Sequence, residues 1–351
     1  MCSVVFVVPG RLETRTGGSL YNRHMVEGLR SHGWVVGVRE LHESFPCPTN
    51  AALNHAAGVL AEIPRGKIVL IDSLAVGAMP AVIERQASRL RIVALVHLPL
   101  ARDISIDRNV AFRFKETESR ALNAAALVVA TGAATLPMLA DYGIEPDRIR
   151  VVEPGTRRAS IARGSRGTAL QLLSVATLNP LKGHVILLEA LAAIPHVDWH
   201  LTCAGSLTRH PATVEQVIAT MSRFRVSKRV SLLGDLDTGS LLDCYDRADV
   251  FVLATLQETY GMAVAEALSH GLPVVSTTTG AIPELVGNDA GLLVPPGDTE
   301  ALTTALARVL GDADLRTRLG SAARRVRDRI PSWEEAAGRM AAALESLETY
   351  G

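Results

Sequence analysis

A strand pattern over Val250–Ala254 runs into Thr255-Leu-Gln-Glu258-Thr-Tyr260-Gly261-Met262-Ala-Val-Ala-Glu266, and this stretch holds the densest set of residues that could do chemistry. Glu258 falls in the loop, Tyr260 and Gly261 open a helix, and Glu266 lies one turn beyond Met262, on the face directed back toward the strand ends. Carboxylates accept hydrogen bonds from hydroxyls, which suits a sugar and a ribose. A helix N-terminus offers unpaired N–H groups to anions or sugar oxygens, and glycine permits close backbone approach. Taken alone, the two glutamates read more simply as an N-terminal charge favoured by the helix dipole and a solvated helix residue.

A second candidate is Ser174-Val-Ala176-Thr177-Leu-Asn179-Pro180-Leu-Lys182-Gly183. Asn179 reads as an N-cap and Pro180 as the first residue of a helix running to Ala193. Lys182 would then sit in the first turn and oppose the dipole by about 0.3–1 kcal/mol, a penalty that a bound anion reverses. A lysine pointing into water is an equal reading. Gly17-Gly18 follow the first strand and precede a helix, where a tight turn approaches a phosphate or is only a turn. His97 closes a strand and precedes Leu98-Pro99, a place where a histidine is usually a packing residue. Gly234-Asp235-Leu236-Asp237 follows another strand, and either aspartate by itself carries little weight.

The elements that would position these residues alternate between short β-branched runs and longer helical patterns, the mark of an α/β protein with parallel sheets. In the first half, strands are expected at Ser3–Val8, Trp34–Leu41, Lys67–Asp72, Arg91–His97, Ala126–Thr131 and Ile149–Val152. Helices are expected near Ser19–His32, Ala51–Glu62, Ala75–Ala87, Ile106–Asn123 and Ala133–Tyr142. After a break holding Arg157 and Arg158, strands resume at Leu170–Ala176, Trp199–Ala204, Val230–Leu233, Val250–Ala254, Pro273–Ser276 and Gly291–Val294. The organisation is therefore an N-terminal doubly wound domain over residues 1–153, a linker over 154–169, a second such domain over 170–330, and a final helix within 331–351 that could return to the first domain. Ligands bind open parallel sheets at the carboxyl ends of their strands, so two sheets facing each other would form a cleft lined by loops from both.

At 351 residues the chain exceeds what one core usually organises, and 36 basic residues balance 36 acidic ones. That balance and the sparse aromatics argue against nucleic acid as a partner. Cys2, Cys47, Cys203 and Cys244 are widely spaced and form no metal-ligand pair, and the start carries no cleavable signal pattern, which points to a reducing cytoplasm. The longest apolar stretch, Ile68–Ile83, is too short to span a bilayer. Arg108, Arg113, Lys115 and Arg120 stand beside Phe112 and Phe114, a pattern open to peripheral membrane contact but diluted by Asp107, Glu116 and Glu118.

The segment from Glu258 to Glu266 resembles the signature of glycosyltransferase family 4, the retaining enzymes of the GT-B fold: Glu, seven residues, Glu, with an aromatic and Gly two and three positions after the first. The resemblance continues through Gly280-Ala-Ile-Pro283-Glu284, where Glu284 reads as structural. It implies two Rossmann-like domains facing across a cleft, with the first serving the acceptor and the second the nucleotide-diphosphate sugar. It also implies that Glu258 holds sugar hydroxyls, that Tyr260, Gly261 and Met262 border sugar and phosphate through their backbone, and that Glu266 binds the ribose. Lys182 would bind the diphosphate, Gly17 and Gly18 would approach it, and His97 would stand beside the reacting sugar. Asp235 and Asp237 would lie near the base. The family usually has Gly-Arg where this chain has Ala176 and Thr177, so Thr177 would meet the donor phosphates with one neutral hydroxyl, and Arg157 stands where Asp is common. With one phosphate-binding cation missing, Arg157 or Arg158 is a candidate to replace it.

The implied chemistry uses no metal and no cofactor besides the donor substrate, and no Asp-x-Asp pair is placed to hold a metal. The acceptor, whether a glycan, a lipid-linked molecule or a small molecule, is unreadable. Alternatives on the same scaffold are an epimerase, a coupling enzyme that makes a non-glycosidic bond, and a non-catalytic sugar-nucleotide-binding protein, the last motivated by Thr177.

Overall fold

The computed structural model describes residues 2–165 and 167–347; Met1, Arg166 and 348–351, which the expected domain ranges include, lie outside the described residues. Two compact units emerge, one formed by Met1–Gly155 with Pro331–Gly351 and the other by Thr156–Ile330. The first carries β1 (Ser3–Pro9), β2 (Val35–Leu41), β3 (Ile68–Asp72), β4 (Arg91–Val96), β5 (Leu127–Ala130) and β6 (Ile149–Val151), in the sheet order β2-β1-β3-β4-β5-β6. The second carries β7 (Leu170–Val175), β8 (Trp199–Ala204), β9 (Val230–Gly234), β10 (Val250–Leu253), β11 (Val274–Thr277) and β12 (Gly291–Val294), ordered β12-β11-β10-β7-β8-β9. Every strand pairing is parallel.

Parallel sheets covered by helices on both faces need strands that are apolar on both sides. All residues of β3, β5, β10 and β11 are indeed buried. The strand order reverses direction between β1 and β3 in the first sheet, and between β7 and β10 in the second. At such a point the loops after two neighbouring strands diverge to opposite faces and leave a crevice at the carboxyl edge.

Several helices are shorter than the periodicity suggests, and proline and glycine are the reasons. The expected helix Ala75–Ala87 splits into Ser73–Val76 and Pro80–Ala87, because Pro80 has no N–H to continue the first and is pre-set to start the second. The helix expected over 133–142 reduces to Leu136–Ala140 after a 3₁₀ turn. The helix starting near Leu181 does not form as drawn. Residues Pro180–Lys182 make a 3₁₀ turn, Gly183 turns left-handed at φ 64°, and the helix begins only at His184. A Cβ on Gly183 would stand 2.0 Å from the carbonyl oxygen of Ala254, so the close approach of these two loops demands glycine.

The segment expected as a linker is held against the second unit over 156–165. Ala162 N–H donates to His270 O at 2.9 Å, Ser269 Oγ donates to Arg157 O at 2.8 Å, and the Arg163 guanidinium pairs with Asp246. The C-terminal helix Trp333–Glu345 starts with a Ser332/Glu335 capping box and packs on the helix Gly17–Ser31, where Gly28 leaves room for Ala337. Trp333 stacks on His24 at 4.0 Å and meets Tyr21 edge-on at 6.0 Å.

Candidate functional site

In the second unit the residues of interest gather where β7 and β10 end side by side. The turn Pro180–Lys182 follows β7, and the loop carrying Glu258 follows β10. Leu256 N–H donates to Leu181 O at 2.6 Å, and Thr255 Oγ1 lies 3.1 Å from the same oxygen, so the two loops are joined through their backbones. Lys182 Nζ then reaches the Glu258 carboxylate as a direct ion pair, with the two side chains 22% and 15% exposed. Lys182 therefore faces a carboxylate of its own chain, and it does so from the 3₁₀ turn rather than from the helical first turn. Gly280 lies against the backbone of Glu258, where a Cβ would come within 2.3 Å of its carbonyl oxygen. Ala281 N–H donates to Thr259 O at 3.0 Å and completes the support of the loop.

Gly261 takes φ 94° and opens the helix Met262–Ser269 with no side-chain cap. Its first N–H groups thus remain available at the edge where the ion pair sits. Tyr260 is buried under the loop. One turn along, Glu266 Oε2 accepts from Tyr245 Oη at 2.9 Å, and the Tyr245 ring stacks on His270 at 4.7 Å. Burial pushes the Glu266 carboxyl up, offset in part by the tyrosine hydrogen bond. The side chain keeps partial solvent exposure, and Oε1 has no protein partner among the described residues. A carboxylate with one oxygen braced by Tyr245 and the other without a protein partner among the described residues suits a diol.

In the first unit the crevice lies beside β1 and β3, and His97 is the first residue after the neighbouring β4. Its Nε2 is 3.2 Å from Asn22 Oδ1 and 3.4 Å from Asp72 Oδ2, and Asn22 Nδ2 donates to Asp72 Oδ2 at 2.8 Å. Gly17 and Gly18 are the first residues of the helix Gly17–Ser31 rather than a turn before it, capped by Thr16. A Cβ on Gly18 would sit 3.4 Å from His97 Cδ2, about van der Waals contact, so the imidazole lies against the first turn of this helix.

The remaining candidates are placed otherwise. Asp237 caps the helix Thr238–Arg247, accepting from Ser240 N–H at 3.0 Å and Ser240 Oγ at 2.8 Å, so both its oxygens have local work. Asp235 is exposed. Thr177 is partly buried, and its carbonyl accepts from Asn179 N–H at 2.9 Å. Asn179 gives the following turn no side-chain cap. Arg157 and Arg158 are exposed, and neither side chain bonds to the Lys182–Glu258 pair.

On the helix Arg108–Ala124, Glu118 does not dilute the basic surface. It is buried, accepting from Leu100 N–H at 2.6 Å, Ala101 N–H at 3.0 Å and Tyr142 Oη at 2.8 Å. Phe112 is 74% exposed, whereas Phe114 is partly covered. Among the described residues no helix is long and apolar enough to cross a membrane, and no group of three or more His, Cys, Asp or Glu is placed to hold a metal ion.

Sequence reasoning passed over Asn22, Asp72 and Tyr245. A signal existed for the first two: Asp72 ends a wholly apolar strand, and Asn22 interrupts the buried stripe of Tyr21, Met25, Val26 and Leu29. Tyr245 carried no comparable signal, because an aromatic on a helix face is ordinarily core.

Residues 169–312 match the family model described as Glycosyl transferases group 1. Over 270 residues the chain is 28% identical to MMP alpha-(1->4)-mannosyltransferase of Mycolicibacterium hassiacum, covering 72% of this chain and 65% of that protein. It is 30% identical over 264 residues to D-inositol 3-phosphate glycosyltransferase of Corynebacterium urealyticum, covering 67% and 61%. The chain thus spans about half to two thirds of the length of the curated relatives it matches. Among solved structures, sucrose-phosphate synthase from Thermosynechococcus elongatus superposes with a TM-score of 0.86 at 19% identity, covering 100% of both chains. HepE of Anabaena in complex with UDP and glucose gives 0.80 at 16% identity, covering 99% of this chain and 100% of that one. The fold is the two-domain α/β GT-B fold.

Proposed function

From the match of residues 169–312 to the group 1 glycosyltransferase family model and the GT-B fold of the chain, we propose that this protein is a retaining glycosyltransferase that moves a sugar from a nucleotide-diphosphate donor to an acceptor hydroxyl. The observation that carries the proposal is the Lys182–Glu258 pair at the β7/β10 crevice, in the loop that leads to the uncapped N-terminus at Met262, which itself stands one helical turn before Glu266. Lys182 and the N–H groups after Gly261 stabilise the departing phosphate. Glu258 accepts from sugar hydroxyls, and Glu266 accepts from the ribose. In the first unit, His97 is the residue assigned to the reacting sugar. A solved structure of similar fold was obtained with UDP and glucose, which supports a nucleotide-sugar donor as the substrate class.

The chemistry proceeds without a metal ion, because the charge that a divalent ion would supply comes from Lys182 and backbone amides. This reading places the work in a reducing cytoplasm, where the four widely spaced cysteines stay as thiols. Thermal-shift measurements with nucleoside diphosphates test the donor site, since a ligand that binds only the folded state raises stability by RT ln(1 + [L]/Kd). The base that gives the largest shift is then offered as its nucleotide sugars. Donor consumption that needs an acceptor and yields a product of unchanged anomeric configuration supports the reading. Absence of any nucleotide-dependent shift overturns it.

A further inference from the structure

The first unit holds a polar chain in which each member leaves the next a single option. Asp72, only 3% exposed, is the last residue of β3 and caps the short helix after it, with Oδ1 accepting from Leu74 N–H at 2.9 Å. Its other oxygen takes the Asn22 amide N–H at 2.8 Å. An ionised carboxylate only accepts, so the Asn22 side chain must turn Nδ2 toward Asp72 and Oδ1 toward His97. Reversing the amide would set its oxygen against the carboxylate and leave a donor facing Nε2. The neighbouring charge thereby settles an amide orientation that geometry alone leaves two-fold. Asn22 Oδ1, 3.2 Å from His97 Nε2, likewise only accepts. Of the two neutral tautomers, only the one with the proton on Nε2 satisfies it.

We propose that Asp72 and Asn22 are positioning residues that fix His97 in its Nε2–H tautomer and leave Nδ1 as the lone pair presented to a substrate hydroxyl. The inference rests on the proposed function for the identity of that hydroxyl, and on this unit's own geometry for the tautomer. Nδ1 has no partner among the described residues, while the side chain keeps 20% exposure, so a bound ligand can supply the missing bond. The ring plane is held as well as the proton. Tyr21 meets the imidazole edge-on at 5.3 Å, itself pinned by Oη donating to Val152 O at 2.8 Å, and the Cδ2–Nε2 edge lies over Gly18. The three polar residues come from three successive segments of the β1/β3/β4 edge, so none of them is placed by local sequence.

The test uses the full chain with its histidines labelled in ¹⁵N. Long-range ¹⁵N–¹H correlation should show His97 as the Nε2–H tautomer near neutral pH, and Asp72→Asn or Asn22→Ala should turn that single state into a mixture. An Nδ1–H tautomer in the unmodified protein, or an unchanged single tautomer in both variants, overturns the assignment. This arm does not depend on turnover, so it stands apart from failure of the proposed activity. In the second arm Asp72→Asn, which retains a helix-capping side chain, should lower kcat/KM about tenfold or more while leaving the melting temperature close to the parent. In a His97→Gln background the same substitution should cost nothing further. An equal loss in both backgrounds shows that Asp72 does not act through His97 and overturns the catalytic use of the relay.

Discussion

Replacing Glu258 by Gln should make the protein bind nucleoside diphosphate more tightly while transferring sugar more slowly. The reason is the ion pair with Lys182, in which both side chains are less than a quarter exposed. At an effective dielectric near 20, two unit charges about 4 Å apart attract by about 4 kcal/mol, and closer contact strengthens that. An arriving diphosphate takes Lys182 from one anion to another rather than from water, and brings its own charge toward the Glu258 carboxylate. Glutamine keeps the shape and removes the charge. What the ligand then no longer displaces is a charge-assisted hydrogen bond, worth about 1.5–3 kcal/mol, which corresponds to roughly a tenfold to hundredfold gain in affinity. Turnover should fall about a hundredfold, because the amide is a poorer acceptor for sugar hydroxyls whose orientation matters in the transition state. Titration calorimetry with the preferred nucleoside diphosphate, on the parent, Glu258→Gln, Lys182→Met and the double variant, reads the effect directly. Unchanged or weaker binding by Glu258→Gln refutes the argument, as does tighter binding that persists when Lys182 is also replaced.

Because burial raises the Glu266 carboxyl and only its ionised form accepts fully from a diol, nucleotide affinity should weaken on acidification from above the ordinary carboxylate range, and calorimetry on Glu266→Gln should find that dependence flattened. Burial pushes the His184 imidazole down to about 4, so between pH 6.5 and 4 the unfolded chain binds the proton that the folded one refuses. Stability should therefore fall as pH drops through that window, by about 3 kcal/mol from this group, and urea titrations of His184→Leu should lose that part of the slope. Replacing Glu118 by Ala removes the acceptor for Leu100 N–H, Ala101 N–H and Tyr142 Oη and should cost about 2–4 kcal/mol in urea unfolding. Sugar transfer should survive excess EDTA, and a loss that Mn²⁺ or Mg²⁺ restores would overturn the metal-free scheme.

The sequence by itself determined the α/β class, the strands and the loop that carries Glu258. These features are local: β-branched runs make buried parallel strands, and Tyr260-Gly261 opens a helix wherever the surrounding fold places it. The strands Trp199–Ala204 and Gly291–Val294 are read to the residue, because turn chemistry bounds both ends. Local sequence does not decide what happens where distant backbones meet. Asn179-Pro180 reads as a helix start, yet the helix waits for His184, since the carbonyl of Ala254, far along the chain, claims the space beside Gly183. Tertiary structure alone decided that Lys182 faces Glu258 across 76 positions of sequence, and that Asp72 reaches Asn22 across 50. Charge and hydrogen bonding act through space, and a sheet that reverses its strand order brings distant loops together without leaving a periodic trace in the chain.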